Sequence, residues 1–228
     1  GFCRVMRRVE MQGMRRSERR ELERRWRKER RRVLPSASSV FRYLSAFHDK
    51  VQDEKRQVGK AFIPAANEHL HGLISVNRDL LSFVQSRRIE KTATLDMDAT
   101  LVETSKAGAL HSYKHYKAYQ PLNVWWAERG MVLHTEFRDG NVPAGYEQRR
   151  VLEDAIESLP QGVEKVYLRT DTAGYEWDLL KYCAEGQSER FGKIEFAVGA
   201  DVTREFRKAV GEVAETDWQP IRYEADGK

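Results

Sequence analysis

Two apolar runs with strand-like alternation each end on an aspartate: Thr94-Leu95-Asp96-Met97-Asp98-Ala99-Thr100 and Val166-Tyr167-Leu168-Arg169-Thr170-Asp171. Alternation of this kind gives a strand one face for a core and one for solvent or a ligand. In the first run Leu95 and Met97 take one face while Asp96 and Asp98 share the other. Carboxylates are costly to bury unless protonated, paired or metal-bound, so the aspartate face must stay open or hold a cation. In the second run Asp171 stands where a strand gives way to the turn Thr172-Ala173-Gly174. Ligand sites in sheets with strand-to-helix connections gather at the carboxyl ends of strands. The plainer reading makes Asp98 a water-exposed strand end and Asp171 a helix N-cap.

Around these runs the chain changes character twice. From Met14 to Arg32 nearly every residue is Arg, Glu or Lys, with Leu22 and Trp26 spaced i, i+4, a pattern that predicts a charged helix with a thin apolar seam. After Pro35, Ser36 or Ser39 is placed to cap a helix carrying Val40, Phe41, Leu44 and Phe47, and helical signals continue from Ile63-Pro64 to Phe83. Beyond Arg88, strands are expected at Thr92 to Met97, His115 to Ala127 and Met131 to Arg138, with Glu128-Arg129-Gly130 as a turn. A helix from about Gly145 to Leu159, a strand from Lys165 to Thr170, a helix from Tyr175 to Cys183, a strand from Lys193 to Val198 and a helix opening near Thr203 follow. The resulting order βββαβαβα predicts an α/β fold with a mixed sheet flanked by helices, preceded by a helical N-terminal region. Three segments are therefore expected: 1–35 as a basic charged helix, 36–88 as a helical region, and 89–228 as the sheet-containing domain.

Charge divides the chain unevenly. The formal net charge is +5, but residues 1–32 hold 14 Lys/Arg against 5 Glu, a net +9, so the remainder sums to −4. A basic head attracts polyanions without sequence specificity, and Arg24 and Arg25 at its centre are candidate DNA contacts; interleaved Glu18, Glu21, Glu23 and Glu29 also suit an ordinary salt-bridged helix. Cys3 and Cys183 are too few and too far apart for a disulfide framework and are expected as reduced thiols. No stretch approaches the roughly 18 apolar residues that span a bilayer, and the opening Gly1-Phe2-Cys3-Arg4 does not read as a signal peptide, so a soluble, cytoplasmic protein is expected.

The string Asp96-Met97-Asp98-Ala99-Thr100 resembles the Asp-x-Asp-Ala-Thr signature of bacterial insertion-sequence DDE transposases of insertion-sequence family 1380. Arg169-Thr170-Asp171-Thr172-Ala173-Gly174-Tyr175 is similar to that family's Arg-Gly-Asp-Ser-Gly-Phe signature. The likeness covers roughly residues 33 to 210 and includes Ser38-Ser39-Val40-Phe41-Arg42-Tyr43-Leu44 and His115-Tyr116-Lys117-Ala118-Tyr119-Gln120-Pro121-Leu122. Thr170 and Thr172 depart from the family's Gly and Ser.

The resemblance implies a ribonuclease H-like catalytic domain in which Asp98 and Asp171 are the first two catalytic carboxylates and hold Mg²⁺, with Mn²⁺ as a substitute, for cleavage and transfer of DNA strands. Asp96 is an accessory group or a structural partner. The family's catalytic glutamate lies on a helix beyond the last strand, after an inserted segment, so the chain is expected to be truncated before it. Glu205 is the substitute to weigh, in a small nuclease built on Asp98, Asp171 and Glu205. A non-catalytic DNA-binding remnant is the other alternative. Lys106, Lys114 and Lys117 are candidate phosphate contacts, with solvated lysines as the plain reading. A homodimer acting on paired element ends, associated with the bacterial nucleoid, is what the resemblance implies for the full-length protein.

Overall fold

A computed structural model of the chain describes residues 13–33, 36–57 and 60–220. Cys3 lies outside the described residues. The helices are α1 (Arg16–Val33), α2 (Ala37–Ser45), α3 (Lys50–Glu54), α4 (Glu68–Arg87), α5 (Gln148–Ser158), α6 (Trp177–Ala184) and α7 (Arg204–Gly211). The strands are β1 (Thr92–Ala99), β2 (Val102–Glu103), β3 (Leu110–His111), β4 (Lys117–Tyr119), β5 (Leu122–Trp126), β6 (Met131–Glu136), β7 (Lys165–Thr170) and β8 (Glu195–Val198). No described helix is long and apolar enough to cross a membrane.

The main sheet has the order β6-β5-β1-β7-β8. β5 runs antiparallel to both β1 and β6, whereas β7 runs parallel to β1 and β8 parallel to β7. The sheet is therefore mixed, with β1 at its centre. Leu95, Met97, Val124, Trp126, Val166 and Leu168 point to one face and are buried with Val151, Leu152, Ala155 and Ile156 of α5 and Leu179, Tyr182 and Cys183 of α6. Each large side chain so buried contributes roughly 1.5 to 3 kcal/mol of transfer free energy. Burial also pushes the Cys183 thiol up to about 11, which keeps it protonated and unreactive.

Three sequence expectations are corrected. The strand expected over His115 to Ala127 is two strands, because Pro121 has no N–H to give a ladder and the chain changes partners there. β4 joins a separate three-stranded sheet, β2-β4-β3, and β5 joins the main one. This small sheet forms an excursion that leaves β1 after Ala99 and returns at Leu122, so three short strands interrupt the expected βββ run. The helix expected from Pro64 starts at Glu68, where Asn67 Oδ1 accepts from Leu70 N at 3.0 Å and caps it. The helix expected from about Gly145 starts at Gln148, after Glu147 takes a left-handed conformation. Ser36 rather than Ser39 caps α2, its Oγ accepting from Ser39 N at 3.1 Å. Trp125 and Trp126 do point to opposite faces, 40% and 0% exposed.

Two compact units divide the described residues. One holds the helices up to Glu54 together with Ala66–Leu70, and the other holds Lys55–Ala65 and the chain from His71 onward. α4 thus gives its first turn to one unit and the rest to the other. In the second unit its Leu81 and Gln85 are buried, Gln85 bridging to Glu90 through Nε2→O (2.7 Å) and N→Oε1 (3.1 Å).

Candidate active site

β1 places Thr94, Asp96 and Asp98 on the face of the main sheet away from α5 and α6, and this face is exposed or partly exposed. The parallel register pairs Asp96 with Arg169 and Met97 with Thr170. The pairing ends at Met97 and Thr170; Asp98 is the next residue of β1, and Asp171 directly follows the end of β7. The two signature strings, distant in sequence, therefore meet at the carboxyl ends of neighbouring parallel strands.

The three aspartates differ in their partners. Both oxygens of Asp96 are taken by Arg169, Nε to Oδ1 at 2.5 Å and Nη2 to Oδ2 at 2.6 Å. Hydrogen bonding to Asp96, and then its charge, hold the Arg169 pKa above its usual value. Each Asp96 oxygen thus accepts one guanidinium hydrogen bond. Asp98 is exposed and accepts a long hydrogen bond from Thr100 Oγ1 at its Oδ2, 3.4 Å away. Asp171 caps the turn Thr172–Gly174, Oδ1 accepting from Ala173 N at 3.0 Å. The N-cap reading of Asp171 therefore holds through Oδ1, and the residue is exposed.

The turn behind Asp171 is tightly packed, against the Thr170 side chain at Gly174 and against backbone at Gly145. A Cβ at Gly174 would lie 2.1 Å from Thr170 Cγ2 and 2.5 Å from its Oγ1, and one at Gly145 would lie 2.9 Å from Ala173 O. Only glycine fits these two positions without a shift. Thr170, which stands where the resembled family has Gly, is the residue pressing on Gly174, and its buried Oγ1 has no hydrogen-bond partner among the described residues.

Donor chemistry at this edge suits a hard divalent cation, since Asp98 and Asp171 offer carboxylate oxygens, and no salt bridge to either is present among the described residues. The set is partial. Among the described residues no group of three or more His, Cys, Asp or Glu is arranged to hold a metal ion. Glu205 lies in the exposed first turn of α7 and is not gathered into such a group. His111 sits on β3, and His115 is a left-handed residue in the following turn.

Candidate DNA contacts fall in two places. Arg24 and Arg25 lie on α1. Lys106, Lys114 and Lys117 all lie on the β2-β4-β3 excursion, Lys114 Nζ 5.7 Å from the centre of the Tyr113 ring and Lys117 Nζ donating to Ala107 O at 3.2 Å. Sequence reasoning missed Arg169 as a member of the site. Its signal was the matched spacing: Arg169 precedes Asp171 by the same two residues that separate Asp96 from Asp98.

The profile of the family described as transposase DDE domain group 1 matches residues 21–226, nearly the whole chain. The chain belongs to this DDE transposase family. No curated protein matches it. Two solved structures are similar to it. One is a piggyBac transposase synaptic complex with hairpin DNA, at 12% identity over 65% of this chain and 34% of that one, with a TM-score of 0.39. The other is the Mos1 mariner paired end complex with Mn, at 10% identity over 80% of this chain and 64% of that one, with a TM-score of 0.31. The DDE chain described here thus spans about a third of the first and under two thirds of the second.

Proposed function

We propose that this chain carries the catalytic core of a DNA strand-cleaving and strand-transferring transposase of insertion-sequence family 1380, with a ribonuclease H-like sheet. Membership of the DDE family supports the reaction class. The observation that supports the site is the parallel pairing of β1 and β7, whose register runs to Met97 and Thr170, the residues just before Asp98 and Asp171. Asp98 and Asp171 would hold Mg²⁺, or Mn²⁺ in its place. A pair of such ions supplies activation of the attacking water or 3′-hydroxyl and stabilises the leaving oxygen of an in-line displacement. The residues' own part is positional: Asp171 is fixed by the Ala173 amide and the crowded Gly174 turn, and Asp98 by its place on the central strand.

The third carboxylate is assigned outside the described residues, with Glu205 as the alternative. Lys106, Lys114 and Lys117 contact DNA phosphates beside the cut, and Arg24 and Arg25 add sequence-independent attraction. The full-length enzyme acts as a homodimer on element ends in the bacterial nucleoid. On this reading the chain by itself binds DNA in a salt-sensitive manner and gives no strand transfer with Mg²⁺. A strand-transfer assay on a supercoiled target with pre-cut DNA ends tests it. Mg²⁺-dependent transfer that vanishes in Asp98→Ala and in Glu205→Gln would make Glu205 the third ligand. Salt-sensitive DNA binding together with no affinity for Mn²⁺ would contradict the catalytic reading and leave a DNA-binding remnant.

A further inference from the structure

We infer that the Arg169–Asp96 ion pair is a strut that sets the separation of Asp98 and Asp171, which makes both of its members positioning residues for the metal site; this rests on the reading proposed above. The pair joins β1 and β7 at directly opposed positions of the parallel register. Each partner precedes an aspartate of the site by two residues: on β1 the pleat puts Asp96 and Asp98 on one face, and Arg169 stands two residues before Asp171, just past the end of β7. The guanidinium holds both Asp96 oxygens, at 2.5 and 2.6 Å. Such a fork fixes direction as well as distance, which a single ammonium contact does not.

Among the described residues no other salt bridge joins β1 to β7 at this level of the sheet. On the outer sides, Arg169 is opposite Ala197 of β8 and Asp96 is opposite Trp125 of β5, neither of them charged. Glu128, the other carboxylate whose charge reaches Arg169, is occupied by Thr94, through N→Oε2 at 2.8 Å and Oγ1→Oε1 at 2.5 Å. Arg169 and Asp96 are 57% and 35% exposed, and pairs that open to water add little to global stability. The effect of the pair is therefore local and falls on the geometry of the two carboxylates just beyond it. Pairing also cancels the charge of Asp96, so a cation arriving at the edge meets Asp98 and Asp171 without a competing carboxylate two residues behind.

Titration of Mn²⁺ into the full chain, followed by electron paramagnetic resonance of the free ion, tests the strut. Arg169→Lys keeps the charge and loses the fork, and Asp96→Asn keeps the shape and loses the charge. Each is expected to weaken Mn²⁺ binding about 10-fold, as loss of a partner behind a metal ligand does. The thermal midpoint should move by less than about 3 °C. Reversing the pair, Asp96→Arg with Arg169→Asp, should recover affinity to within about threefold of wild type. Unchanged affinity in both single variants would overturn the inference, as would tighter binding in Arg169→Lys, which would make the released Asp96 a ligand. A wild-type chain that binds no Mn²⁺ would overturn the metal reading and the strut together. Binding that Asp98→Ala abolishes and Arg169→Lys leaves intact would overturn the strut alone.

Discussion

The sheet unit and the N-terminal helices are built on opposite principles. Around β1 the chain buries a continuous core from Leu81 to Ile194. In α2 and α3 no residue is buried, and Phe41, Tyr43, Leu44 and Val51 are all exposed. One region takes its shape from what it hides from water; the other takes its shape from caps and helix-turn hydrogen bonds. The difference teaches where rigidity is available, and the paired aspartates sit in the region that has it.

Core truncation should separate the two regions most strongly. Leu168→Ala, from a fully buried position on β7, is expected to cost about 2 to 5 kcal/mol of unfolding free energy, and Phe41→Ala on α2 no more than about 0.5 kcal/mol. Urea unfolding of the two variants makes the comparison, and equal losses would break it. Next comes the crowded turn: Gly174→Ala drives a methyl into Thr170 and should cost about 1 to 3 kcal/mol. Adding Thr170→Ala, which removes the two nearest clashing atoms, should restore part of that loss, and no restoration would mean the turn itself has a different constraint.

Caps give a finer contrast. Glu176 caps α6 by accepting from Asp178 N and Leu179 N, at 3.1 and 2.9 Å. Glu176→Ala should lower global stability by about 1 kcal/mol, because α6 is part of the core. Ser36→Ala removes the equivalent bond from α2 and should reduce helical circular dichroism while leaving the global transition in place. A shared loss of global stability would show that the two regions unfold as one.

The smallest effect is one of pH. Burial lowers the His134 pKa below its ordinary 6.5, with Arg150 and Arg78 adding to the shift and Asp154 and Glu136 opposing it. The unfolded chain then binds the proton more readily than the folded one. The His134 contribution to stability is thus complete above pH 6.5 and is lost as the pH falls toward the folded value. His134→Gln should flatten that part of the stability profile in the sheet unit and leave the helical signal of α1 and α2 unaltered.

Much of the central sheet was legible in the sequence because period-two alternation is a local signal. Leu95, Met97, Val166 and Leu168 announced a buried face, and Asp96 and Asp98 an open one. The split at Pro121 was legible in principle, since proline cannot serve a ladder, but the aromatic run on both sides hid it. Strands two residues long, such as β2 and β3, carry too little alternation to be seen. Buried polar side chains were hidden for another reason. Arg138 stands at the end of the strand expected from Met131, and nothing in that pattern marks Arg138 and Asp139 as fully buried. Arg138 donates to Glu136 Oε1 at 2.8 Å and to Tyr146 O at 2.7 Å, and Asp139 pairs with Arg56 at 3.0 Å. A partner as distant in sequence as Arg56 is from Asp139 follows from the fold and not from composition. The Arg169–Asp96 pair is of the same kind, because it depends on the register of two strands that the sequence does not print.

The most direct test of the central claim, that Asp98 and Asp171 act as one cation site, is paramagnetic broadening of amide resonances as Mn²⁺ is added to the isotope-labelled chain. Signals of Asp98 to Thr100 and of Asp171 to Ala173 should broaden together at the same Mn²⁺ concentration, and both sets should be spared in Asp98→Ala. Broadening confined to one strand end, or centred on Glu176 and Asp178 instead, would contradict the account.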